Sequence, residues 1–198
     1  LNEAQVGAQL EHPGILPVYD IGHRPDGRLY FTMREIQGST LASVIKESHR
    51  GGGWGLHRLV DAYHRVCEAM AYVHSRGVTH RDLKPDNIMA GSFGQILVLD
   101  WGLARTRDSP ETTDTVYLSD PSATRAGVVM GTHHFMPPEQ RRGDTSRIGP
   151  ASDVYALGAV LFQILFGEPP PLGEDREILS FAEHCKRVTS PWSEADQE

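Results

Sequence analysis

Eight consecutive residues, His80-Arg81-Asp82-Leu83-Lys84-Pro85-Asp86-Asn87, constrain this chain more than any other stretch. They set a carboxylate (Asp82), an ammonium (Lys84) and a carboxamide (Asn87) at short fixed intervals on one loop. Pro, Asp and Asn are also turn formers, so each residue taken singly reads as solvated loop. The flanks argue for more than a turn. Upstream, Leu59, Tyr63, Val66, Met70 and Val73 recur at alternating steps of four and three, the pattern of an amphipathic helix that leads through Gly77 into the loop. Downstream, Ile88-Met89 and residues 95–99 flank Gly91-Ser92-Phe93-Gly94, which reads as a tight hairpin. A second acidic anchor, Asp100-Trp101-Gly102, follows it.

Moving a phosphoryl group from Mg-ATP needs the groups this loop supplies. Asp82 suits the task of orienting the acceptor hydroxyl and taking its proton. Lys84 offsets charge on the migrating group. Asn87 offers an oxygen to a hard metal ion, and Asp100 would bind the metal from the opposite side. The octapeptide and the Asp-Trp-Gly together resemble the catalytic and metal-binding loops of the eukaryotic-type (Hanks-type) bacterial Ser/Thr protein kinases. The resemblance implies an α+β, protein-kinase-like fold. A partial small lobe, a helix plus two strands and the hinge, would occupy residues 1–35, and a mostly helical large lobe residues 36–198.

Further roles come from that resemblance. Residues 2–11 read as a helix stopped by His12-Pro13-Gly14, similar to the tail of the family's mobile small-lobe helix. Glu3 would then pair with a strand lysine, although a solvent-facing carboxylate is common in a first helical turn. Residues 15–21 and 29–33 read as two strands around a Pro25-Asp26-Gly27 turn. Met33-Arg34-Glu35-Ile36 resembles the hinge. Met33 would stand behind the adenine pocket, the backbone of Glu35 and Ile36 would meet the adenine edge, and Met89 would lie beneath the ring. Arg34 departs from the acidic residue usual there. Ser39 or Thr40 can cap a short helix through Lys46, and Gly51-Gly52-Gly53 is a break rather than a phosphate loop.

From Asp100 to Glu139 runs a long aperiodic connection, which a compact domain rarely keeps without a function. It is rich in hydroxyls and ends in Gly131-Thr132-His133-His134-Phe135-Met136-Pro137-Pro138-Glu139, similar to the close of a kinase activation segment. The resemblance makes Thr132 a bridge between Asp82 and Lys84. It makes Thr124 a phosphorylation site read by Arg81, Glu139 an ion-pair partner, and His80 a neighbour of the Trp101 ring. Asp153, opening an apolar helix over residues 154–166, would hold the loop backbone from below. Gly167 ends that helix, and residues 178–188 read as a further one.

Composition narrows the alternatives. A net charge of −7 over 198 residues without a Lys/Arg cluster argues against nucleic acid as a partner. Cys67 and Cys185 make no disulfide framework and fit a reducing cytoplasm. The longest apolar run is too short to span a bilayer. The expected cofactors are ATP and Mg2+. The expected partners are Ser/Thr-bearing proteins, with self-association open as a route to trans-autophosphorylation. The chain begins at Leu1, and the resemblance finds no glycine-rich loop or strand lysine ahead of Glu3. A fragment of a longer kinase, inactive alone, is therefore expected. Two other functions compete. A pseudokinase scaffold would have little reason to keep Asp82, Lys84, Asn87 and Asp100. A small-molecule kinase of the aminoglycoside or choline type shares the loop but lacks the Gly-Thr to Pro-Glu segment.

Overall fold

The computed structural model describes residues 10–101, 104–106 and 133–172. The helices expected over residues 2–11 and 178–188 lie outside these residues, apart from Leu10 and Glu11, which carry no regular structure. The chain enters with Leu10, Ile15 and Leu16 buried. Strands β1 (Val18–His23) and β2 (Leu29–Met33) pair as an antiparallel hairpin. Its turn uses Gly27 at φ 82°, with Gly27 N donating to Arg24 O at 2.9 Å and Arg28 N to Asp26 Oδ1 at 3.0 Å. The sequence pattern starts the first strand at Ile15, but the structure starts it at Val18. Ile15 instead bridges in parallel to Val98, and Pro17 has no N–H to give a ladder.

Beyond the hairpin come β3 (Gly38–Thr40), α1 (Leu41–Ser48), α2 (Leu56–Ser75), β4 (Val78–Thr79), β5 (Ile88–Gly91), β6 (Ile96–Val98), β7 (Arg105–Thr106), α3 (Pro138–Arg141) and α4 (Pro150–Phe166). Strands β3, β5 and β6 form an antiparallel sheet with β5 central, and β4 pairs with β7. Thr40 caps α1, its Oγ1 accepting from Ser43 N at 3.2 Å. The β5–β6 turn closes as Gly94 N donates to Gly91 O at 3.0 Å and Gly91 N to Gln95 O at 2.7 Å.

The core forms where α2 meets α4. The stripe Leu59, Ala62, Val66, Ala69, Met70 and Val73 is buried on α2, against Ala156, Leu157, Ala159, Val160 and Ile164 of α4. Each fully buried aliphatic side chain of this kind contributes about 1.5–3 kcal/mol. Leu41 and Ile45 of α1 cover the short 3-10 turn Pro85–Asn87 and β5 from another side. The loop of interest therefore hangs between two well-packed bodies. At one end Gly77, at φ 72°, lets the chain reverse out of α2; at the other, α1 seals the 3-10 turn. Among the described residues no helix is long and apolar enough to cross a membrane.

Candidate active site

The loop from His80 to Asn87 is held in a conformation its residues would not choose. Arg81 sits at φ 73° and Asp100 at φ 61°, the left-handed region that costs a residue with a Cβ about 1–2 kcal/mol. Hydrogen bonds to Asp153 offset the strain at Arg81. Its carboxylate, 1% exposed, accepts from His80 N at 2.8 Å and from Arg81 N at 2.9 Å. His74 Nε2 lies 2.8 Å from the same carboxylate. The sequence placed Asp153 at the opening of its helix, but α4 starts at Pro150. Gly149 is the N-cap, and its N–H goes to Ser152 Oγ at 3.2 Å. Asp153 is thus released from capping and turns its charge to the loop.

Asp82 is the hub of the loop. Its backbone N–H donates to His80 Nδ1 at 3.3 Å, and its carbonyl accepts from Asn87 Nδ2 at 2.8 Å. Its Oδ2 accepts from Lys84 Nζ at 2.7 Å and from Asn87 Nδ2 at 3.1 Å. Among the described residues nothing bonds to Oδ1, so one carboxylate oxygen stays open while the other is fixed. Asn87 spends its amide nitrogen twice on Asp82, which leaves its carbonyl oxygen available. The ladder carries the next anchor to the same end of the sheet: Ile88 pairs with Val98, and Leu99 N donates to the backbone Asn87 O at 2.8 Å, with Asp100 the following residue. Asn87 and Asp100 each carry oxygen donors, the type that Mg2+ selects.

His80 is fully buried, and burial pushes its imidazole below the usual 6.5 despite the opposing pull of Asp153, the Leu99 carbonyl, Asp82 and Asp100. Its neutral ring uses both nitrogens: Nδ1 accepts from Asp82, and Nε2 donates to Leu99 O at 3.0 Å. Trp101, 4% exposed, tilts against it with centroids 4.6 Å apart at 54°. Trp101 Nε1 has no hydrogen-bond partner among the described residues.

The remaining expected residues fall in three groups. Glu35 and Ile36 lie in the link from β2 to β3, and Met33 ends β2 at 44% exposed. Met89 sits on β5 between Thr40 and Leu97. The link is tied to the β5–β6 turn: Ser92 N donates to Gln37 O at 2.9 Å, and Arg34 Nη2 donates to Gln95 Oε1 at 3.0 Å, which accounts for an arginine at 34. Glu139 accepts from Ser152 Oγ at 2.6 Å rather than from a cation among the described residues. Glu3, Thr124 and Thr132 lie outside the described residues. Sequence reasoning overlooked His74, Ser152 and Gln140. Gln140 is 5% exposed and donates from Nε2 to Arg81 O at 2.8 Å. A buried amide two residues after Pro138, and a histidine at the loopward end of α2, were the available signals. Arg81, Asp82 and Leu83 line a small recess with Phe135, Met136 and Gln140.

Comparison with known proteins adds an independent line. A family model described as the protein kinase domain matches residues 1–197. The serine/threonine-protein kinase PknD of Protochlamydia amoebophila is 37% identical over 211 residues, covering 96% of this chain and 21% of that protein. The serine/threonine-protein kinase PknB of Mycolicibacterium smegmatis is 39% identical over 194 residues, covering 96% of this chain and 28% of that protein. PknB of Mycobacterium tuberculosis is 38% identical, with the same coverages of 96% and 28%. The chain thus spans between about a fifth and just over a quarter of the relatives it matches. The mixed helices and small sheets described above fit the α+β kinase-like fold expected from the loop. With a family model spanning almost its whole length and bacterial relatives of this identity, the chain belongs to the protein kinase family.

Proposed function

We propose that this domain transfers the γ-phosphoryl group of ATP to Ser and Thr hydroxyls of proteins. The observation that carries the reading is the Asp82 carboxylate, with Oδ2 fixed by Lys84 and Asn87 and Oδ1 left open. Oδ1 accepts the hydrogen bond of the incoming hydroxyl and takes its proton as the new O–P bond forms and the bond from the γ-phosphorus to the bridging oxygen breaks, releasing ADP. Lys84, already at the carboxylate, places its positive charge beside the acceptor. Asn87, through its carbonyl oxygen, and Asp100 hold Mg2+; the metal, when bound, offsets charge on the phosphates. The backbone of Glu35 and Ile36 meets the adenine edge, with Met33 behind the pocket and Met89 beneath the ring. Residues 1–35 serve as small lobe and 36–198 as large lobe. Glu3 pairs with a strand lysine, Thr132 bridges Asp82 and Lys84, and phosphorylated Thr124 pairs with Arg81. Asp153 sets the loop backbone, Glu139 anchors the segment end, and His80 with Trp101 packs the back of the site. Protein substrates reach the site from the cytoplasm, and a second copy of the chain is one of them.

The test is transfer from labelled Mg-ATP by the full-length gene product. Label on Ser or Thr of a protein or peptide acceptor is the expected result. ATP binding without any transfer would make the domain a scaffold. Label on an aminoglycoside or choline alone would make it a small-molecule kinase.

A further inference from the structure

The peptide unit that joins Arg81 to Asp82 is gripped at both ends. Its N–H, on Asp82, goes to His80 Nδ1 at 3.3 Å. Its carbonyl oxygen, on Arg81, accepts from Gln140 Nε2 at 2.8 Å. The unit before it is gripped as well, through Arg81 N and Asp153 Oδ1 at 2.9 Å. With both neighbouring planes fixed, Arg81 stays at φ 73°, and the direction in which Asp82 leaves the backbone is set. Of the three grips, His80 is part of the loop itself and Asp153 belongs to the core helix α4. Gln140 is different: it sits on α3, the short turn that ends the long connection from Asp100.

That turn is itself seated by side chains. Glu139 accepts from Ser152 Oγ at the start of α4 at 2.6 Å, and Arg141 Nη2 donates to Tyr155 Oη of α4 at 3.3 Å, while Gln140 N and Arg141 N close the turn on Pro137 O at 3.1 Å. Gln140 thus reaches Arg81 from a turn that is docked on α4. We propose that Gln140 is a positioning residue. By holding Arg81 O it makes the orientation of the Asp82 carboxylate depend on the seating of the segment end, without touching substrate itself. This inference rests on the kinase reading for its catalytic consequence, and on hydrogen-bond geometry alone for its structural one.

Two variants of the full-length protein separate the donor from packing. Gln140→Met keeps an unbranched chain of similar length and removes the N–H donor; Gln140→Ala removes both. If the donor positions Asp82, both variants lose about ten- to a hundredfold in kcat, with KM for ATP changed by no more than about twofold. A filler of space would leave Gln140→Met close to wild type and impair Gln140→Ala only, and that outcome overturns the proposal. Amide hydrogen exchange is read in parallel. The Arg81 and Asp82 amides should exchange faster in Gln140→Met while those of α2 and α4 stay as in wild type; unchanged exchange at the loop also overturns it. Should wild type transfer no phosphoryl group at all, the proposed function fails, and the exchange experiment still decides whether Gln140 clamps the loop.

Discussion

Asp82 and His80 show how much chemistry two adjacent side chains fix between them. Asp82→Asn keeps an oxygen for Lys84 but no longer takes a proton, so kcat should fall about a hundredfold to ten-thousandfold. Melting temperature should stay within a few degrees, because the lost ion pair is partly solvated. A radiolabel transfer assay beside a thermal melt checks both; equal kcat in variant and wild type would remove Asp82 from the mechanism. His80 gives a pH prediction. Its folded-state value lies below the ordinary 6.5, chiefly through burial, so the unfolded chain takes up the proton first. Stability is therefore full above about pH 6.5 and declines as pH falls below it, by up to about 1.4 kcal/mol per pH unit from this one group. Urea midpoints at pH 7.5 and 5.5 should differ less in His80→Gln than in wild type. An identical pH slope in both would show that other groups set the acid limb.

Helix α4 carries an internal contrast between two glycines. Gly158 is mid-helix, and a Cβ there would meet nothing within 4 Å. Gly158→Ala should therefore stabilise by about 0.5–1 kcal/mol through helix propensity. Gly167, the left-handed C-cap at φ 83°, is the reverse case: a Cβ would stand 2.8 Å from the His49 ring. His49 Nε2 lies 2.9 Å from Ile164 O, on the last turn of the same helix, so it cannot withdraw without loss. Gly167→Ala should cost about 1–3 kcal/mol. Denaturant midpoints of the two variants should move in opposite directions; a shift of the same sign would refute the cap argument. The elements themselves were legible where period and length are large. The α2 stripe, a helix cap at Ser39 or Thr40, the β5–β6 turn and the Gly167 stop could all be read in the chain. β4 and β7 could not, because strands of two residues carry no period. Nor could the start of β1, since Ile15 and Leu16 look like strand and are recruited instead by Val98 and the core.

Across the whole molecule, core and site share one buried charge. Asp153 joins α4, the end of α2 through His74, and the loop through His80 and Arg81. The sequence reading named Asp82, Lys84, Asn87 and Asp100 because they lie in dense local motifs, and Asp153 only through the family resemblance. It passed over His74 and Gln140, whose partners lie 79 and 59 residues away, because neither sits in a motif whose roles the resemblance carries over. Asp153→Asn tests whether fold and site are in fact one object. An amide of the same size offers a single acceptor oxygen and turns its NH2 toward a donor. Yet Arg81 N addresses Oδ1, while His80 N and His74 Nε2 address Oδ2. At least one donor must then lose its partner in a nearly dry site, at about 2–4 kcal/mol. Without that restraint Arg81 relaxes from its left-handed conformation, and Asp82 moves with it. Equilibrium unfolding should therefore show a clear loss of stability in Asp153→Asn, and phosphoryl transfer should fall well beyond what the remaining folded fraction explains. Asp82→Asn, by contrast, should lose activity at nearly full stability. If Asp153→Asn melts like wild type, the carboxylate is not the strut described; if it melts early but its folded fraction works at full rate, the loop keeps its shape without it.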